Sequence, residues 1–203
     1  MLVTKDRSFT FVIDKLDSNE TGGALEAATA LARQLREVVI PEVDEYTYRK
    51  MCDGAGTKPA AKTLDSTNIY NEIISATTVL DDNEVNEVGR VLLVVPAVYQ
   101  MMKDSEKIVL NTNIGDDLRQ HGVISNLDGM NVVKVSSKRV PKNFGFMVAH
   151  PCATVAPTKL ADYRTHQDPP GISGTLTEGR ISYDAHVLDN KKMAIYYQER
   201  QPS

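Results

Sequence analysis

The sequence predicts an α+β fold, with helices concentrated in the first half and strands in the second. Three observations carry this. Residues 20–52 hold one apolar stripe at helical spacing, Leu25, Ala28, Leu31, Ala32, Leu35, Val38 and Val39, with Arg33, Gln34, Arg36 and Glu37 off it. Residues 68–80 repeat the pattern through Ile69, Ile73, Ala76, Val79 and Leu80. From residue 131 onward, short apolar runs bounded by turn residues replace it, without the strand–helix alternation of a parallel βαβ chain.

In chain order, Phe9, Phe11 and Ile13 alternate with Thr10, Val12 and Asp14, which reads as a strand within residues 1–16. No hairpin partner adjoins it. Its partner is expected far along the chain, in another copy, or in preceding sequence. In the long helix, Asp17 and Ser18 are cap candidates, and Glu20 puts negative charge at the positive end of the helix dipole. Gly54 and Gly56 mark its stop. Pro41 lacks an N–H, so the helix is expected to run to Val39 or Ile40, bend, and continue to Tyr48.

Residues 53–63 read as a connector. In the next helix, Ser66 or Thr67 is the expected cap, and residues 81–87 (DDNEVNE) form an acidic turn. Residues 90–95 (RVLLVV), bounded by Gly89 and Pro96, are a buried strand, and Pro96 opens a third helix over 97–103. Residues 108–128 read as loop, with a short turn over 116–121. Strands are expected at 131–136 and 144–149. An extended stretch at 154–165 ends before the breaker Asp168-Pro169-Pro170. Residues 179–188 and 192–198 are read as an antiparallel pair joined at Asp189-Asn190. There is no internal repeat.

A chain of 203 residues, 41% hydrophobic and 25% charged, fits one large domain or two small ones with an aliphatic core. A net charge of −4 argues against a dedicated nucleic-acid binder. The basic run of Lys134, Lys138, Arg139 and Lys142 reads as a solvated loop rim. Cys52 and Cys152 are too few for a disulfide scaffold, and a reducing, intracellular origin is the simpler reading. No apolar run is long enough for a bilayer, and the start has no signal-peptide core.

No motif carries chemistry. Gly54-Ala-Gly-Thr-Lys58 lacks phosphate-loop spacing, and residues 81–87 lack the glycine and distal glutamate of a calcium loop. His121, His150, His166 and His186 show no metal-ligand spacing, so no metal, cofactor or catalytic set is expected. Cys152 with His150 is the one nucleophile pair to weigh, against the commoner role of cysteine as a small hydrophobe. Glu42, Asp44 and Glu45 read as charged contacts to a neighbouring element rather than an acid–base set.

The arrangement resembles the HK97-like major capsid proteins of tailed bacteriophages. Five stretches carry the resemblance, in the family's order. They are Lys5-Asp-Arg-Ser-Phe-Thr-Phe-Val-Ile-Asp14 with Asp17 and Glu20-Thr21; Val39-Ile-Pro-Glu-Val-Asp44 with Tyr46 and Tyr48; Arg90-Val-Leu-Leu-Val-Val-Pro96; Gly122-Val-Ile with Asp128-Gly-Met-Asn-Val-Val133; and Ser137-Lys-Arg-Val-Pro141. Residues 147–159 and the final hairpin complete it. The resemblance implies that residues 1–20 are the second half of an extended loop, 21–95 a peripheral domain with the spine helix, 96–150 an axial domain, and 151–203 a return segment closing the sheets. It also implies that the first strand's partner lies upstream.

By the same resemblance the chain is a structural, non-enzymatic subunit located in the virion. It self-assembles into hexamers and pentamers that enclose DNA, with copies of itself as main partners. Scaffold and portal proteins are further partners, packaged DNA is met non-specifically, and no membrane is involved. An encapsulin-like nanocompartment shell is the alternative, and an enzyme using Cys152 and His150 a distant third. Family members carry an arm and the first half of the loop ahead of the position matching Lys5. This chain starts almost on the second half, so alone it is expected to stay monomeric or form small oligomers. Some relatives crosslink a lysine to an asparagine; Lys5 with Asn68 or Asn71 is the corresponding set.

Overall fold

The computed structural model describes residues 3–16, 27–109, 124 and 126–201. The described elements begin with β1 (Lys5–Asp14), α1 (Ala27–Gln34), a π-helical turn (Leu35–Val39), α2 (Ile40–Gly54) and α3 (Ile69–Asp82). Then come β2 (Val91–Val94), α4 (Pro96–Lys103), α5 (Glu106–Val109), β3 (Asn126–Leu127), β4 (Met130–Lys134) and β5 (Phe144–Ala149). The chain closes with β6 (Thr154–Val155), β7 (Thr158–Gln167), β8 (Gly174–Tyr183), β9 (His186–Val187) and β10 (Ile195–Glu199). This is the expected mixture of helix and sheet. Two compact units emerge: residues 1–47 with 156–185, and residues 48–155 with 186–203. α2 runs unbroken from the first unit into the second across residue 47.

The first unit is an antiparallel sheet in the order β1-β8-β7, with a helix along one face. The register Lys5↔Tyr183 through Asp14↔Gly174 gives β1 a partner far along the chain, one of the three expected from the sequence, on one of its two edges. Phe9 lies opposite Gly179, which in turn faces Tyr163. A Cβ at Gly179 would come within 2.5 Å of the Phe9 ring and 2.8 Å of the Tyr163 ring, so glycine is what lets these rings lie over the central strand. Asp168-Pro169-Pro170 ends β7 directly after Gln167, as the breaker expected from the sequence. It forms the loop joining β7 to β8, with Asp168 and Gly171 at positive φ and the Asp168 N–H donating to the Gly174 carbonyl.

The helix differs from expectation at Pro41. Residues 27–54 are helical throughout and end at Gly54, the stop marked in the sequence and beyond the Tyr48 expected after the bend. In an unbroken α-helix the proline ring would press on the carbonyl four residues back. Here the turn before it widens to π geometry, with the Ile40 N–H donating to the Leu35 carbonyl. A π turn stands where the bend was expected. The proposed start at Glu20, with caps Asp17 and Ser18, lies outside the described residues. So do the turn at 116–121, His121, Gly122 and Val123, whereas Ile124 is described and buried, its N–H donating to the Tyr99 hydroxyl at 2.8 Å.

The second unit holds the core. Its main sheet runs β10-β5-β2-β4-β3, with β2 and β4 parallel and the other pairs antiparallel. Phe146, Leu92, Met147 and Ile195 from the sheet, Ile69, Ile73 and Leu80 from α3, and Met102 from α4 are fully buried. The apolar stripe read for residues 68–80 is therefore the packed face. Pro96 opens α4 as expected. The cap of α3 is different: Asp65 Oδ1 accepts from the Thr67 and Asn68 N–H groups at 2.8 and 2.9 Å, so Asp65 rather than Ser66 or Thr67 tidies the helix entrance.

The pairing expected between residues 179–188 and 192–198 does not form. β8 pairs with β1 and β7, and β10 pairs with β5. The reason lies in burial. β5 is buried at every residue and β10 at all but Glu199, so each suits a strand covered on both faces; β8 alternates with exposed or half-exposed polar positions. Phe146→Ala should cost about 3–5 kcal/mol through lost burial and the cavity left behind. Val12→Ala, on the solvent side of β1, should stay within about 0.5 kcal/mol. Urea denaturation followed by circular dichroism checks both.

Candidate assembly surface

The first unit has little interior. Among its described residues, Thr177, Tyr183, Asp184 and Ala185 are the buried non-glycine side chains. None of the helix from Ala27 to Met51 is buried, while Val38 and Ile40 stay about half exposed (48% and 49%) and Leu16 is 70% exposed. The stripe legible in the sequence is thus only partly covered by this chain's own sheet. Phe11, Ala30, Gln34 and Val38 line a cavity of about 240 Å³ between strand and helix. Fully burying one more Val or Ile side chain is worth about 1.5–3 kcal/mol. Cover placed over either exposed side chain, Val38 or Ile40, which point to different sides of the helix, therefore has a driving force waiting for it.

Polar contacts, not packing, seat the helix on the sheet. Asp184, 2% exposed, accepts from the Thr4 N–H at 2.9 Å, the Thr4 hydroxyl at 2.8 Å, the Tyr46 hydroxyl at 2.9 Å and the Ala185 N–H at 2.7 Å. Burial alone would raise its pKa, but these four donors outweigh it and hold the carboxyl far below the usual carboxylate range. Beside it, Tyr46 meets Tyr183 edge to face at 5.8 Å, and the Lys5 ammonium lies 5.1 Å from the Tyr46 ring centre. Glu42 accepts from Arg7 Nε at 2.6 Å and from the Tyr183 hydroxyl at 3.1 Å. The Arg7 bond chiefly lowers the Glu42 pKa, while burial and then the Glu42 contact push Tyr183 up to about 12. Glu42 is therefore a charged contact to a neighbouring strand, as read from sequence.

The opposite face of the sheet is a ladder of exposed polar pairs: Arg180 with Asp6, Arg164 with Asp162, and the His166 ring with Glu178. Such pairs are worth little individually but keep this face wet.

The chemistry candidates separate. The His150 ring is used at both nitrogens: Nδ1 accepts from the Cys152 N–H at 3.2 Å, and Nε2 lies 3.1 Å from the Val88 carbonyl, to which it donates. No ring nitrogen remains to take a proton from the Cys152 thiol, although that thiol is exposed and borders a cavity of about 330 Å³. Lys5 belongs to the first unit, whereas Asn68 and Asn71 belong to the second. The Asn68 amide donates to the Thr63 carbonyl, and Asn71 Oδ1 accepts from Lys107 at 2.8 Å. His186 sits in β9. Among the described residues no three His, Cys, Asp or Glu side chains are placed to hold a metal ion, and no helix is long and apolar enough to cross a membrane.

The sequence reading missed Asp184 and Thr4. They are 180 positions apart, and neither lies in a periodic pattern, so no local signal marks their contact.

Neither family models nor curated proteins give a match to this sequence. Solved structures do. One from Mycobacterium phage Che8 is similar with a TM-score of 0.79 at 20% identity, over 97% of this chain and 71% of that one. The capsid of Cyanophage P-SCSP1u follows with a TM-score of 0.77 at 15% identity, over 98% and 72%. A virus-like particle from Pyrococcus furiosus has a TM-score of 0.62 at 12% identity, over 96% and 76%. The fold is the HK97-like capsid fold that the sequence resemblance implied.

Two outcomes follow from this geometry. The Asp184 carboxyl has a lowered folded-state pKa, so its stabilisation is full above its unfolded value near 3.8 and is lost as pH falls toward the folded value. The first unit should therefore loosen below about pH 4, and Asp184→Asn should flatten that acid dependence while costing about 1–3 kcal/mol at neutral pH. Amide exchange along β1, followed against pH, reads both. The Cys52 thiol is buried and pushed up to about 12 by that burial, whereas Cys152 is exposed. A thiol reagent should label one cysteine per native chain, and the second only in denaturant.

Proposed function

We propose that the chain is a structural subunit of an icosahedral phage capsid, acting by self-association and without catalysis. The observation that supports this best is the pairing of an HK97-like fold with a first unit that has little core of its own. Residues 27–47 present Val38 and Ile40 to the outside, and covering them needs another surface. In a shell, that surface is supplied by symmetry-related copies, each contact weak and repeated many times. The first unit, with its long helix and three-stranded sheet, takes the peripheral role. The second takes the axial role near the ring centres. The expected location is the virion, with scaffold and portal proteins as further partners and packaged DNA met non-specifically.

The likeness to the Pyrococcus furiosus virus-like particle supports a second reading, a shell that holds protein cargo in place of a genome. Nucleic acid recovered from particles isolated from the native source separates the two.

The purified chain should show concentration-dependent association into small oligomers by analytical ultracentrifugation. Val38→Asp with Ile40→Asp should weaken that association by roughly tenfold or more while leaving the circular dichroism unchanged. A strictly monomeric chain at millimolar concentration overturns the proposal.

A further inference from the structure

The second unit gathers opposite charges at opposite ends of its main sheet. From residue 129 to residue 155 it has the cations Lys134, Lys138, Arg139 and Lys142 and no carboxylate. Lys134 ends β4, level with Val94 at the end of the parallel strand β2, and the Val135 N–H donates to the Val94 carbonyl. Lys138 and Lys142 follow directly, both exposed. Lys134 is not a free-swinging chain: it and Lys103 sit 5.3 and 5.2 Å from the centre of the Tyr99 ring.

The acidic turn lies at the other end. It precedes β2, and its backbone is fixed by the buried Arg90, which donates to the Val85 and Asn86 carbonyls and pairs with Asp81 at 2.7 Å. The remaining carboxylates of the turn, Asp82, Glu84 and Glu87, are exposed. Among the described residues, no ion pair joins Asp82, Glu84 or Glu87 to a cation, or Lys134, Lys138 or Lys142 to a carboxylate. Elsewhere on this chain exposed ions do pair, as in Arg7–Glu42, Lys62–Glu72 and Arg180–Asp6. Four residues of strand, about 13 Å at 3.3 Å per residue, separate the two ends.

We infer that these patches are the two halves of one head-to-tail contact between copies, the lysine end of one second unit meeting the acidic turn of the next. Two different patches on one subunit make a heterologous contact, and such contacts close into rings when the rotation per copy divides a full turn. Opposite charge sets orientation and speeds encounter, while like ends repel, so the copies are directed into one polarity. This rests on the proposed self-association and adds which surfaces meet and in which order. Phosphate of nucleic acid is the other ligand the lysine end could take, and the test separates it.

Two variants decide the matter. K134E/K138E/K142E makes both ends negative, and D82K/E84K/E87K makes both ends positive. Each alone should self-associate roughly tenfold or more weakly than the parent, and an equimolar mixture should recover association in an alternating one-to-one complex. Recovery on mixing also shows that each variant is folded. Association of the parent should weaken as salt rises toward 1 M, where screening acts beyond about 3 Å. Variants that associate like the parent, or a mixture no better than its parts with both chains folded by circular dichroism, overturn the inference. So does a lysine variant that loses only retention of duplex DNA. The shell proposal fails separately, if the parent itself never associates.

Discussion

The first unit is held by a backbone ladder rather than by a core, and the rest of its behaviour depends on that. Three ten-residue strands pair over their full length, yet the sheet they form is covered along one face by a helix that contributes no buried side chain between Ala27 and Met51. Isolated sheets of few strands are marginal in water unless something packs on them. Hydrogen bonds contribute modestly to net stability, about 0.5–1.5 kcal/mol each, and chiefly fix geometry. The unit is thus specific in shape and poor in burial, as suits a piece whose remaining burial comes from outside.

Polar contacts take over the positioning that packing does elsewhere. The helix is registered on the sheet at Tyr46, through Asp184, and at Glu42, through Arg7 and Tyr183. These two helix positions are four residues apart and so share a face. The same spacing carried back reaches Val38 and Gln34, which with Phe11 and Ala30 line the cavity along β1. The helix therefore passes from a charged clasp to a loosely filled contact of mixed character, to which Arg33 and Glu37 also belong. The π turn at Leu35–Val39, which holds Val38 itself, precedes Pro41 and rotates the residues before it relative to those after it.

How much of this was legible in the sequence follows from the range of the interactions. Elements set by local periodicity and punctuation were readable: α3 from Ile69, Ile73 and Leu80, α4 from Pro96, and β5 at its observed bounds. Pairings across the chain were not. Alternation at Phe9, Phe11 and Ile13 marks a strand but says nothing of a partner at residues 174–183. Asp189-Asn190 looked like a hairpin turn because it separates two strand-like runs, yet those runs differ in how many faces they bury, and that difference assigns them to different sheets. Proline was read as a break because its missing donor is a local fact; the widened turn that accommodates it is a property of the whole helix. For the candidate surface, the apolar stripe was visible, but which part of it stays uncovered depends on a sheet the sequence did not reveal.

The second unit shows the converse balance. It has a closed apolar core, so its surface is free to carry charge without loss of stability, and Lys134, Lys138 and Lys142 gather at one end of the main sheet and Asp82, Glu84 and Glu87 at the other. Like charges gathered at one end repel each other, and nothing in the fold needs Lys138 and Lys142 near Lys134 or Asp82 and Glu84 near Glu87. A mixed surface would be at least as stable for an isolated chain. Sorting becomes favourable when the opposite end of another copy neutralises it. The two units thus leave complementary demands unmet within one chain, apolar cover for the first and counter-charge for the second. Under the proposed function, both would be satisfied by the same event, association with copies of itself.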